Sequence, residues 1–127
     1  MLKNLEVGID IVQIERFRRL EYTKNKKFYY KIFKKSEIEY CTKFKDPYTH
    51  FAGRFAVKEA VIKSIKKKIK MTDIEIIQKK SKPIIKISEK IPFIFKTSLS
   101  HDGDYAIAIV ISEKIIKKLN KTTRKST

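Results

Sequence analysis

Three stretches carry side chains whose type and setting suit metal or phosphate chemistry. Asp10 interrupts Gly8-Ile9-Asp10-Ile11-Val12, a run rich in β-branched residues where Asp is disfavoured. Arg54, Lys58 and Glu59 stand together in Phe51-Ala52-Gly53-Arg54-Phe55-Ala56-Val57-Lys58-Glu59-Ala60. His101 follows Ser98-Leu99-Ser100 and precedes Asp102-Gly103. A carboxylate close to an apolar stripe has to be paired, hydrogen-bonded or metal-bound to offset its desolvation. Arg offers a fork of donors that matches phosphate oxygens. Each residue also has a plainer reading. Asp10 could cap a helix beginning near Val12, Glu59 could pair with Lys63 one turn on while Arg54 and Lys58 stay solvated, and His101 could be an ordinary turn residue.

These side chains need elements to position them. A helix is predicted over residues 48–65, with Phe51, Phe55 and Ile62 at helical spacing and Asp46-Pro47 as its start signal. Arg54 and Lys58 are four apart on its surface, and Glu59 is about 100° round from Lys58. Residues 5–14 alternate as a strand, with Leu5, Val7, Ile9 and Ile11 on one face and Glu6, Gly8 and Asp10 on the other. Gly8 leaves room for another backbone or a ligand. A helix over 13–21, a short helical stretch over 28–33 and a helix from Ser36 to about Phe44 follow, the last with Ser36 as N-cap and Glu39 three residues on. Residues 63–70 read as an exposed, lysine-rich helix end or loop. Residues 73–78 and 83–87 form a hairpin candidate, as do 93–100 and 105–111, the second around Asp102-Gly103. The near-continuous apolar run of 105–111 suggests a central strand, and 112–120 a short terminal helix.

The chain has 127 residues, of which 42% are hydrophobic, enough for one modest core. A net charge of +17, from 31 Lys and Arg against 14 Asp and Glu, implies an anionic partner. The single cysteine, Cys41, excludes an intrachain disulfide or a multi-cysteine zinc site and fits a reducing compartment. The N-terminus lacks the apolar run of a signal peptide, and the longest apolar run is too short to span a bilayer. The expectation is a cytoplasmic protein with one domain over residues 1–120 and a basic, disordered tail over 121–127.

In their order and spacing, the Asp10 strand, the Gly53–Ala60 helix and the Ser98–Asp102 stretch followed by Tyr105-Ala106-Ile107-Ala108 resemble the holo-acyl-carrier-protein synthases, the small class of 4′-phosphopantetheinyl transferases. The resemblance covers about residues 4–112, and Asp73–Ile76 and the Lys82-Pro83 pair fit it too. It implies transfer of phosphopantetheine from coenzyme A to a serine of acyl carrier protein, with Mg²⁺ and release of adenosine 3′,5′-bisphosphate, in fatty acid biosynthesis. On the matching positions, Asp10 and Glu59 would hold the metal, and Lys58 would sit beside the pyrophosphate. Arg54 and His101 would contact nucleotide phosphates, with Ser100 and Asp102 flanking the same ligand. Arg16, Arg19 and Lys24 would face the acidic carrier. The residue types suit this chemistry, since Mg²⁺ takes one or two carboxylates and completes its octahedron with water and substrate phosphate.

The resemblance also implies an α+β fold, an antiparallel sheet from the Asp10 strand and both hairpins packed on the long helix, assembled as a homotrimer with sites between subunits. Two departures concern loop geometry: residues 65–70 hold no glycine, and Ser81 stands where glycine often precedes the Lys-Pro pair. The rival reading is a basic nucleic-acid-binding module. Its charge is right, but no zinc-finger or RNA-recognition signature accompanies it, so neither nucleic acid nor membrane is an expected partner.

Overall fold

The structure is a computed structural model that describes residues 2–88 and 90–116. In chain order the elements are β1 (Leu5–Gln13), α1 (Glu15–Arg18), α2 (Lys26–Tyr30), α3 (Lys35–Thr42), α4 (Pro47–Ile65), β2 (Ile74–Lys79), β3 (Lys82–Ile87), β4 (Phe93–Asp102) and β5 (Tyr105–Lys114). The long helix is where the sequence puts it. The Asp46 carboxylate accepts from the Tyr48 N–H at 3.2 Å, Pro47 opens the first turn, and Lys66 ends the helix in the left-handed region at φ 53°. Lys66 thus supplies the conformation that glycine would otherwise provide after a helix.

The strands form two antiparallel sheets rather than the single sheet expected from sequence. One is three-stranded in the order β1-β5-β4; the other is the β2-β3 hairpin alone. β5 is central in its sheet, as its apolar run suggested. Gly103 opens the β4–β5 turn at φ 57°, the first central position of a two-residue loop. Lys80 and Ser81, at φ 48° and 69°, make the β2–β3 turn, so the loop at 80–81 keeps a glycine-like shape without glycine.

α4 lies across the three-stranded sheet on small residues. A Cβ at Gly8 would stand 1.9 Å from the Ala60 carbonyl oxygen, so only glycine lets β1 meet the helix backbone. Ala52, Ala56 and Ala60 of the helix and Ala106 and Ala108 of β5 are all buried, which permits equally close approach there. This packing inverts what alternation suggests about β1. Its apolar face is exposed, Val7 at 58%, Ile9 at 53% and Ile11 at 59%, while Gly8 and Val12 are buried under α4. β5 repeats the pattern: Ala106, Ala108 and Val110 are buried, and Ile107, Ile109 and Ile111 are exposed. The helix takes the small side of the sheet, and a branched apolar face remains outside.

Several local boundaries differ from expectation. β1 continues through Asp10 to Gln13, so Asp10 is a strand residue and caps nothing. α1 is only four residues long. α3 starts two residues early, because Glu37, not Glu39, turns back to accept from the Lys34 N–H at 2.8 Å. Ser36 is inside the helix and donates to Glu75 Oε2 at 2.7 Å. Residues 112–114 are strand, not helix, and the tail expected over 121–127 lies outside the described residues.

Candidate active site

β1 and α4 bring Asp10 and Glu59 together, as the sequence proposed. Asp10 sits on the face of β1 that meets the helix, with its side chain only 15% exposed. Burial raises the Glu59 carboxyl above the ordinary carboxylate range and the nearby Asp10 charge raises it further, while Lys63 and Arg16 oppose the rise. Among the described residues no cluster of three or more His, Cys, Asp or Glu forms a metal site. A pair of carboxylates is nonetheless what an oxygen-seeking cation needs if water and substrate complete its shell.

A third member of this group was read from sequence only as a partner for Glu59. The Lys63 ammonium donates to Asp10 Oδ1 at 3.1 Å and to the Ile9 carbonyl at 3.0 Å. Its side chain is 55% exposed, so it reaches both the carboxylate and solvent. The signal was its place four residues after Glu59 on one helical face; what the sequence does not show is that β1 lies under that face.

Lys58 belongs elsewhere. It is fully buried, and its three protons go to Glu37 Oε1 at 2.6 Å, the Ile32 carbonyl at 2.8 Å and the Met71 carbonyl at 3.0 Å. Burial pulls the ammonium below its usual value, with Glu37 opposing. Glu37 Oε2 accepts from the Ile76 N–H at 2.8 Å. This closed node joins α3, α4 and β2 and uses all three Lys58 protons. The sequence reading put Lys58 beside the pyrophosphate; in this chain its ammonium faces the core instead.

Arg54 is also buried, at 3% exposure. Its guanidinium lies 4.0 Å over the Tyr40 ring, Nη2 donates to Gln78 Oε1 at 3.2 Å, and Nε has no partner. β4 passes close to this part of α4, since a Cβ at Gly53 would be 3.1 Å from a Leu99 methyl. His101 is two residues further along β4 on the same face. Ser100 and Asp102 point the other way, Ser100 paired with the exposed Ile107. Ser100 and Asp102, expected to flank the same ligand as His101, thus lie on the opposite face of β4 from it.

The two groups are separated by the helix itself. Arg54 and Lys63 are nine residues apart and so about 180° round α4, with Glu59 about 140° from Arg54. Asp10 is on β1 at one edge of the sheet and His101 on β4 at the other.

Arg16 is exposed beside the carboxylates, 5.6 Å over the Phe55 ring. Arg19 and Lys24 are exposed as well and make only loose pairs, with Glu15 at 3.9 Å and Glu21 at 3.7 Å. All three leave positive charge available on the side of α1. No described helix is long and apolar enough to cross a membrane.

Residues 6–110 match the family described as the 4′-phosphopantetheinyl transferase superfamily. The holo-[acyl-carrier-protein] synthase of Chlamydia muridarum is 38% identical over 116 residues, covering 84% of this chain and 93% of its own. That of Thermodesulfovibrio yellowstonii is 41% identical over 108 residues, covering 83% and 95%. Among solved structures, the Helicobacter pylori holo-[acyl-carrier-protein] synthase in complex with coenzyme A is similar at a TM-score of 0.73 and 32% identity, over 84% of this chain and 99% of its own. The Bacillus anthracis enzyme in complex with CoA (3′,5′-ADP) is similar at a TM-score of 0.75 and 28% identity, over 86% and 96%.

Proposed function

Because this chain belongs to the holo-acyl-carrier-protein synthases of the 4′-phosphopantetheinyl transferase superfamily, we propose that it moves 4′-phosphopantetheine from coenzyme A to a serine of an apo-acyl carrier protein, using Mg²⁺ at Asp10 and Glu59. The observation that carries this reading is the meeting of Asp10, Glu59 and Lys63 across β1 and α4. The donor set fits the metal. Two carboxylates lie close enough for each other's charge to matter, and a cation, the Lys63 ammonium, is already drawn to Asp10 and the Ile9 carbonyl. Bound there, Mg²⁺ would neutralise charge on the pyrophosphate of coenzyme A.

The serine oxygen forms the new bond to the β-phosphorus, the pyrophosphate P–O bond breaks, and adenosine 3′,5′-bisphosphate leaves. The serine proton passes to the carboxylate pair. Lys63, free to turn from Asp10 towards solvent, supplies positive charge to the phosphate oxygens as charge moves onto the leaving group. Arg54 and His101 hold nucleotide phosphates, and Arg16, Arg19 and Lys24 draw in the acidic carrier.

Two features support sites shared between copies in a homotrimer. The carboxylate group and the Arg54 group lie on opposite sides of α4, so a ligand touching both needs two chains. The exposed branched face of the three-stranded sheet pairs Val7, Ile9 and Ile11 with Ile111, Ile109 and Ile107 in one contiguous apolar patch, the kind of surface that an interface covers. Sedimentation should give three chains of 15.0 kDa each; a monomer at working concentration would overturn the shared site. The function itself is tested by incubating the protein with coenzyme A, Mg²⁺ and apo-acyl carrier protein and weighing the carrier by mass spectrometry. A gain of one phosphopantetheine arm is expected; no gain, under conditions where a known synthase modifies the same carrier, would sink the reading.

A further inference from the structure

His50 stands on α4 one turn before Arg54 and nearly in line with it, on the side of the helix away from Glu59. Its ring is stacked on Phe44 at 3.7 Å between centroids and 14° between planes. Phe44 meets Tyr40 edge-on at 5.1 Å, and Tyr40 carries the Arg54 guanidinium at 4.0 Å. Two flat basic groups are thus held on two touching aromatic rings. The third basic group is His101, on the β4 face that meets this stretch of α4, close enough that its charge disfavours a proton on His50.

Among the described residues the cluster has no free carboxylate of its own. The acidic group felt by His50 is Asp46. That carboxylate is already occupied by Arg18 Nη2 at 2.7 Å, the Thr49 hydroxyl at 3.0 Å and the Tyr48 N–H at 3.2 Å. Arg54 meanwhile keeps a buried Nε–H without a partner. A buried charged group with an unused donor is costly in a native structure and leaves the guanidinium under-satisfied in the free protein. Three basic groups on rigid supports, with one donor unfilled, suit a phosphate monoester dianion better than a neutral ring or a singly charged diester.

Resting on the transferase reading above, we propose that His50 is a third contact to the terminal 3′-phosphate of coenzyme A and sets the preference for coenzyme A over its dephosphorylated form. Burial, then the charges of Arg54 and His101, keep the free imidazole below its ordinary value, with Asp46 opposing. Arrival of a dianion reverses the balance, so His50 gains a proton as the phosphate binds and becomes a charged donor.

The test compares Michaelis constants for coenzyme A and dephospho-coenzyme A in wild type and in His50→Phe, which keeps a ring on Phe44 and removes the donor. The variant should lose about tenfold of the preference for coenzyme A, through the coenzyme A constant and not through kcat. An unchanged ratio would overturn the proposal. A second measurement needs no variant. The His50 imidazole is titrated by NMR in the wild-type protein, alone and with adenosine 3′,5′-bisphosphate, adenosine 5′-monophosphate or inorganic phosphate. The midpoint should rise with the bisphosphate alone. No rise, or the same rise with inorganic phosphate at equal concentration, would defeat it. A rise in a wild-type protein that modifies no carrier would defeat the transferase reading and leave the phosphate contact standing.

Discussion

Lys63 and Asp10, 53 positions apart in the chain, meet at 3.1 Å across the contact of α4 with β1. The ammonium is paired with the carboxylate and is exposed enough to leave it. Lys63→Met should therefore lower transfer by about 10²–10³-fold, the usual loss when one preorganised charge or donor at a developing anion is removed. The same variant should bind Mg²⁺ more tightly, since the competing cation is gone. Calorimetry of Mg²⁺ binding beside steady-state kinetics checks both; full activity would place the phosphate charge elsewhere.

Glu59→Gln should separate stability from function. The folded-state value of Glu59 lies above its unfolded one, chiefly through burial and then through Asp10. Its favourable contribution is thus complete below the unfolded value of about 4.3 and is lost as pH rises through the folded value. The Gln variant carries no such penalty. Without metal it should melt at a slightly higher temperature than wild type at pH 7 and at the same temperature at pH 4, while losing transfer by about 10²-fold or more. A lower melting temperature at pH 7 would contradict this account of the carboxylate.

Lys58→Met should unfold the node rather than slow the chemistry directly. It strands the Glu37 carboxylate in the core, a loss of about 3–5 kcal/mol for a buried pair. Urea melts should show the shift. Adding Glu37→Gln, which removes the stranded charge and keeps one acceptor for either the Ile76 or the Lys34 N–H, should recover part of it. Equal stability of wild type and Lys58→Met would mean the pair is not closed.

Arg16→Glu should raise the Michaelis constant for the carrier and leave that for coenzyme A nearly intact. Exposed charges act over about 8 Å at physiological salt, and Arg16 lies on the α1 side of the carboxylates, away from Arg54. Raising ionic strength should weaken the wild-type carrier interaction and have less effect on the variant. Unchanged salt dependence would put carrier docking on another surface.

How much was legible depends on how local the signal was. Asp46-Pro47 and the spacing of Phe51 and Phe55 fixed α4 to within one residue, and Asp102-Gly103 located a hairpin. Asp10 and Glu59 each stood out as an acid in a costly place, but it was the family resemblance that paired them. The faces of β1 were not legible, since alternation separates two sides without saying which one a helix covers. Here Gly8 and the alanines decided that, by allowing closer packing than Val7, Ile9 and Ile11 could. Lys58 was assigned to the pyrophosphate and its burial was not legible, because its compensating acid, Glu37, is 21 residues away on another helix. The burial of Arg54 was hidden for the same reason, as Tyr40 and Gln78 shelter it from different elements.

The placement of Arg54 and Lys63 on opposite sides of α4 has a consequence for mixtures of inactive proteins. In a ring of copies, each reaction centre would draw its carboxylates from one chain and its phosphate contacts from the next. A chain lacking Asp10 and a chain lacking Arg54 would each be silent alone, yet neighbours in the right order would rebuild an intact centre. With equal amounts randomly reassembled, about a quarter of the centres would regain both halves. The damage done by either substitution would thus be recessive to a partner of the other kind.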